Sequence, residues 1–269
     1  MSTSSTFPFL LHLADNTLML AQRNSEWTGH GPVLEQDIAI TNIALDLIGQ
    51  SRNLFAHAAT TYNTASENGR SIWDVHLPKT WKTFNRELQE DDLAMLREER
   101  QYLNLLMLEL PRGDWAFTVL RQVFFSVFQH LQYTALLQHE DETLRAIAEK
   151  SLKEVAYHIR WSGEWVIRLG DGTEESASRL HTALDGLTPY LGELFAPAPY
   201  EVINPAVFKE SWLQKINIVF EQAQLPLLST AQLDAQGISG GKMGRHSEHM
   251  GYLLAQLQYM QRTYPNSIW

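Results

Sequence analysis

The chain has 269 residues, no cysteine and a formal charge of −10. That length can bury a large core, with one helical domain as the first expectation. The missing thiols exclude a disulfide framework, a cysteine nucleophile and cysteine-ligated metals, and the acidic balance argues against a nucleic-acid surface.

The opening stretch MSTSSTFPFLLHLADNTLML has no basic region before its apolar part, and Asp15 and Asn16 interrupt it. Neither a signal peptide nor a spanning helix is expected, so the reading is a soluble cytoplasmic protein with no membrane or nucleic-acid partner. Periodicity then predicts a first helix over 9–27, with Leu10, Leu13, Ala14, Thr17, Leu20, Ala21 and Asn24 as its buried stripe. Thr28-Gly29-His30-Gly31-Pro32 reads as a turn. A second helix is expected over 33–62, facing inward with Ile40, Ile43, Ala44, Leu47, Ile48, Ser51, Leu54, Phe55 and Ala58. Its apolar positions extend beyond one stripe, which marks it as a docking face. Residues 63–90 read as an irregular stretch, packed by Trp73, Trp81 and Phe84. Further helices are expected over 91–110, 114–139, 148–173 and 173–195. Gly170-Asp171-Gly172 stops the longest of these, which begins from Leu144 or Ala148.

After the proline-rich break at Ala196-Pro197-Ala198-Pro199, helices are expected over 206–223 and 246–263, with Ser239–Gly244 between them as a flexible turn. The fold class is all-α: one domain over 1–269, a bundle of long helices over about 9–195 and a C-terminal helical extension over about 205–264.

Four groups of residues could carry chemistry. A dinuclear carboxylate site needs an acidic residue from each of two helices and Glu-x-x-His from each of two others. The chain has no Glu-x-x-His; Glu154 and His158 are four apart, and the competing reading is a surface Glu beside a hydrogen-bonded core His. Two histidines with a glutamate at His246, Glu248 and His249 read as a helix start capped near Ser247. Ser239-Gly240-Gly241-Lys242 lacks the spacing and preceding strand of a phosphate loop. Trp73, Trp81, Trp161, Trp165 and Trp212 suit either a core or an interface.

Longer segments carry a family resemblance. ADNTLMLAQRNSEWTGHGP, LEQDIAITNIALDLIGQSRNLF, EDDLAMLREERQYLNLLMLELPRGDWAFTVLRQ, KSLKEVAYHIRWSGEWVIRLGDGTEES and GRHSEHMGYLLAQLQYMQRTYP resemble the C-subunit family of bacterial phenylacetyl-CoA 1,2-epoxidase, a multicomponent oxygenase of phenylacetate breakdown. The resemblance spans almost the whole chain and is loosest at 63–90 and 196–241. It implies a ferritin-like, non-catalytic structural subunit with no cofactor of its own. The implied partners are a related catalytic A subunit that carries the di-iron centre, a B subunit and a reductase subunit. Alone, the chain is expected either to expose a large apolar helix face or to form a homodimer through it.

The resemblance also implies where metal ligands would stand in the catalytic sister. Glu26 falls at its first glutamate. Leu47 and Gln50 replace the Glu and His of its D-E-x-G-H segment. Ser126 falls at its third carboxylate, and Val155 and His158 at the last two positions of K-E-E-x-x-H. Of six ligands, only Glu26 and His158 remain, so no metal-binding or catalytic residue is expected here. His158 is expected to be buried and hydrogen-bonded, with Gln50 preferred over Tyr157 as partner. Two other readings stay open: a di-iron or di-manganese enzyme with an unusual ligand set, and a free-standing helical scaffold that forms a homodimer.

Overall fold

A computed structural model describes residues 6–235 and 237–267. Every regular element among them is helical: α1 (Thr6–Ser25), α2 (Leu34–Thr64), α3 (Glu67–Trp73), α4 (Glu90–Met95), α5 (Leu106–Glu109), α6 (Trp115–Leu136), α7 (Glu142–Gly170), α8 (Glu174–Leu187), α9 (Leu191–Phe195), α10 (Lys209–Gln222), α11 (Thr230–Asp234), α12 (Glu248–Leu257) and α13 (Tyr259–Thr263). None is long and apolar enough to cross a membrane.

Four long helices make the bundle. α1 packs on α2 and α6 on α7, and the two pairs join through α2 and α7. Their starts are written in the sequence. Asp114 caps α6 by accepting from Phe117 N–H at 2.9 Å. Asp141 caps α7 by accepting from Leu144 N–H at 2.9 Å, and its other carboxylate oxygen meets His57 at 2.6 Å. Each cap satisfies a donor that the helix cannot. The stripe expected on α7 is the buried one, including Leu144, Ala148, Ser151, Val155, His158, Ser162 and Val166. α8 and α10 lie against α6 on its other side. There Trp212 is fully buried and donates to the Phe124 carbonyl at 2.9 Å.

Several expectations need correction. α1 is buried on all sides from Phe7 to Ala21, not along one stripe. The helix expected over 91–110 does not exist as one element. It is α4, a short 3-10 turn at Glu99–Gln101, an extended run, and α5. The cause is α1's second face, which is polar. Asp15 accepts from Leu103 N–H at 2.8 Å, Asn16 accepts from Leu105 N–H at 2.8 Å, and His12 donates to the Leu103 carbonyl at 2.7 Å. These bonds satisfy the backbone of 103–105 in extended form, so a continuous helix is not required. Arg97, fully buried, pairs with Asp15 and lies over the Tyr102 ring at 4.1 Å.

The helix expected over 173–195 breaks at Pro189 into α8, a 3-10 turn and α9, and the last helix kinks at Gln258 into α12 and α13. Ser247 caps α12 as expected. The 63–90 stretch is packed, with Trp73 buried and stacked on Phe7 at 5.1 Å.

The glycine-rich segment Ser239–Gly244 is not a flexible turn. The N–H groups of Gly240 and Gly241 both hold one oxygen of buried Glu193, at 2.7 and 2.8 Å. A Cβ at Gly241 would lie 2.1 Å from the Asn104 carbonyl oxygen, so only glycine allows the close approach. Lys242 is buried and reaches the Ala196 carbonyl at 2.8 Å and Glu201 at 3.1 Å. The backbone N–H groups do bind an anion, but the anion is the chain's own carboxylate.

Candidate functional site

α2, α6 and α7 bring the implied ligand positions into the bundle core. Leu47, Ser126, Val155 and His158 are fully buried, and Gln50 nearly so. Two of these positions, Gln50 and Ser126, are held by polar side chains outside the implied ligand set. α6 carries Gln122, Ser126, Gln129 and Tyr133 at steps of four, three and four, one face of a helix. Gln129 donates to Gln50 at 2.9 Å, and Gln50 donates to Glu154 of α7 at 2.8 Å. One turn along, Asn24 of α1 donates to Gln122 at 2.7 Å, and Gln122 donates to Ser126 at 2.9 Å. These bonds run through carboxamides and a hydroxyl, with Glu154 as the one charged end.

His158 is buried, but its partner is neither Gln50 nor Tyr157. Its Nε2 donates to Asp46 of α2 at 3.0 Å, while Gln50 is committed to Glu154 and Gln129. Asp46 stands four residues before Gln50, so both look across to α7, at His158 and Glu154 respectively. The buried Nδ1 of His158 has no hydrogen-bond partner. Glu26 does not join the group. It lies one residue beyond α1, its carboxylate pairs with Arg23 at 2.6 Å, and its carbonyl accepts from Arg112 at 2.8 Å. The signals that sequence reading passed over were Asp46, four before Gln50, and the spaced polar residues among the phenylalanines of α6.

This donor set does not fit a dinuclear metal centre. Leu47 and Val155 present hydrocarbon, while Gln50 and Ser126 are neutral and already hydrogen-bonded within the core. Two iron ions need several anionic oxygens to balance their charge. No chemical step through a metal follows from these residues.

A second buried cluster lies on α1's other face, where burial and partners shift the titration of several groups. Burial and the Lys242 charge lower His12 to about 3, against the opposing pull of its bond to Leu103, so His12 is neutral at physiological pH. Burial alone would lower His246 too. The Glu109 carboxylate at 2.7 Å outweighs it and raises His246, whose other nitrogen donates to the Tyr102 carbonyl at 3.0 Å. Burial raises Asp15 against the opposing pull of Arg97. Each group has a partner inside the fold, so the cluster fastens segments together.

The outer side of α2 is different. Leu34, Ile38, Leu45 and Ile48 are 72%, 52%, 59% and 43% exposed, and Ile48 therefore faces outward, against expectation. At 3.6 residues per turn they fall in one arc opposite Ile43, Leu47 and Leu54. Gln36 accepts from Trp161 and Trp165 at 3.1 and 2.7 Å, which fixes the first turn of α2 on α7.

The profile of the family described as "Phenylacetic acid catabolic protein" matches residues 1–269. The chain is similar to the C subunit of 1,2-phenylacetyl-CoA epoxidase from Escherichia coli (strain K12). The two are 36% identical over 269 residues, covering 97% of this chain and 98% of that protein.

Proposed function

The chain belongs to the phenylacetic acid catabolic protein family, and from that premise we propose that it is the non-catalytic structural subunit of a phenylacetyl-CoA epoxidase. In this reading it pairs with a di-iron catalytic sister and holds it in an assembly with a B subunit and a reductase. The observation that carries the reading is the core donor set: Leu47 and Val155 are buried hydrocarbon at ligand positions, and Gln50 and Ser126 are tied to the carboxamides of α6. These carboxamides supply both donors and acceptors to the polar core, because each can both donate and accept.

The chain's own work is then mechanical. α2 is held from behind by α1 and α7 and presents an apolar outer face. A face of that kind suits a lasting contact with another helical subunit, since obligate interfaces are larger and more apolar than transient ones. The test is co-expression with the sister subunit in ample iron, then size-exclusion chromatography and iron analysis. The expected result is co-elution, with iron in the sister and none in stoichiometric amount on this chain alone. Leu45→Asp on α2 should abolish co-elution while leaving the fold intact. Two tightly bound iron atoms in the isolated chain, or no association with the sister, would overturn the reading.

A further inference from the structure

Among the described residues two arginines are wholly buried, Arg97 and Arg121. Arg97 has a counter-charge in Asp15. Arg121, in the second turn of α6, has none. Its Nη1 donates to the carbonyls of Leu110 and Pro111 at 2.8 and 3.2 Å. Its Nε and Nη2 have no hydrogen-bond partner. These two donors share one edge of the planar guanidinium and point the same way. That edge is the fork that meets a carboxylate or phosphate with two parallel bonds. The Phe117 ring, 5.4 Å from the guanidinium carbon, screens the charge but has no lone pair to offer. Glu26 is close enough to act on Arg121, yet its carboxylate is committed to Arg23 at 2.6 Å. Burial and the Arg23 charge lower Arg121 to about 9, against the opposing pull of Glu26. It therefore stays a cation at neutral pH, and a buried cation short of counter-charge is strongly destabilising.

We propose that the Nε and Nη2 edge of Arg121 is the seat of one small oxyanion, of the phosphate or carboxylate class. Two oxygens of such an ion take the two parallel N–H bonds, which no group of the fold takes. Arg23 adds positive potential, although its own Nε and Nη2 are spent on the Glu109 carbonyl at 3.1 and 2.7 Å. The side open to solvent is marked by Glu26, whose side chain is 28% exposed, and by half-buried Arg112. Arg112 donates to the Glu26 carbonyl at 2.8 Å and so holds that residue beside the site. The bound ion balances a charge that α6 carries into the core, so the chain's stability depends on its supply. The rival occupant is Glu26 itself, which would have to leave Arg23 to reach the edge.

The experiment is calorimetric titration of the purified full-length chain, in a zwitterionic buffer, with inorganic phosphate and separately with acetate. The wild type is expected to bind one ion of at least one of the two. Arg121→Lys keeps the charge but loses the fork, and should weaken binding by about tenfold or more. Arg121→Met should bind neither ion. Glu26→Gln removes a repelling charge and should tighten binding. In thermal unfolding, the ion that binds should raise the wild-type midpoint by about 2–4 °C more than that of Arg121→Met. The comparison subtracts the general salting effect, which both proteins share. Should Arg121→Met fail to fold, the Nε–H resonance of Arg121 in the wild type reads the site directly and should shift as the ion is added. A wild type that binds neither ion, binding indifferent to Arg121→Lys, or an Nε–H resonance that does not move would each overturn the proposal. Binding that appears only in Glu26→Gln would show that Glu26 fills the edge, and would overturn it as well.

Discussion

Leu47 and Val155 are the two hydrocarbon side chains on which the proposed non-catalytic reading leans. Each is fully buried, so a carboxylate placed there without a counter-ion is desolvated or forced to take a proton, at several kcal/mol each. Leu47→Glu, Gln50→His, Ser126→Asp and Val155→Glu made together should therefore lower the unfolding temperature. Added iron should restore it only in part, because this core is packed around Leu47 and Val155, and ligands not held by outer partners lose about 10–100-fold in affinity. Thermal unfolding with and without ferrous iron reads this; wild-type stability with two bound iron atoms would contradict it. His12 makes a different prediction. Its folded value of about 3 lies below the ordinary 6.5. Below pH 6.5 the unfolded chain takes up a proton that the folded chain refuses, so this group's contribution to stability falls as pH falls from 6.5 towards 3. Its full loss is roughly 5 kcal/mol. Asp15, Glu193 and Glu201 are raised by burial and act in the opposite sense as pH falls. The check is therefore a difference: denaturant stability against pH for the wild type and for His12→Gln, with the variant losing less on acidification. Parallel curves would rule it out.

α1 is a helix with two working faces. One packs on α2, and the other offers His12, Asp15 and Asn16 as a template for the extended run after Gln101. The apolar period of 91–110 reads as one helix because periodicity reports burial and not which backbone partner is present. The buried side chains of α1 outcompete the local helix here, as tertiary contacts routinely override propensity. Asp15→Asn should remove the charge that balances Arg97, which is itself fully buried. Breaking a buried pair from one side costs about 3–5 kcal/mol. Replacing the pair together, as Asp15→Leu with Arg97→Met, should recover part of that loss and not all, because Leu103 N–H also loses its acceptor. Urea denaturation of the three proteins settles the order; a double variant less stable than Asp15→Asn would refute it.

For the whole molecule, the C-terminal segment is part of the bundle's support. Glu109 accepts from Asn104, His246 and Ser247 N–H. Glu193 joins α5 to the glycine-rich loop through Leu106, Gly240 and Gly241, and Gln258 reaches the Arg97 carbonyl at 2.9 Å. A chain ending at Ala196 would leave Glu109 with Asn104 alone and Glu193 with Leu106 N–H alone of these partners, and would uncover the core around Phe124 where Trp212 packs. Unpaired buried charge and lost apolar burial act together. Such a truncation should be recovered as an aggregating or loosely packed species with weak near-ultraviolet circular dichroism. A cooperative unfolding transition near that of the full chain would show that the first 196 residues stand alone.

The helical class, the long helices α1, α2, α6 and α7 within a few residues at most ends, and the inward stripe of α7 were legible in the sequence. These follow from periodicity, caps and residue identity, which are local. Tertiary structure decided the rest. Asp46 as the partner of His158, the bond from Gln129 to Gln50, the outward face of Ile48 and the anchoring of Gly240 and Gly241 by Glu193 all depend on how distant parts of the chain pack. Helical period gives the angle of a side chain about its own axis and leaves open which neighbour stands opposite. Polar groups in a core choose among neighbours by hydrogen-bond geometry, and that geometry exists only once the helices have packed.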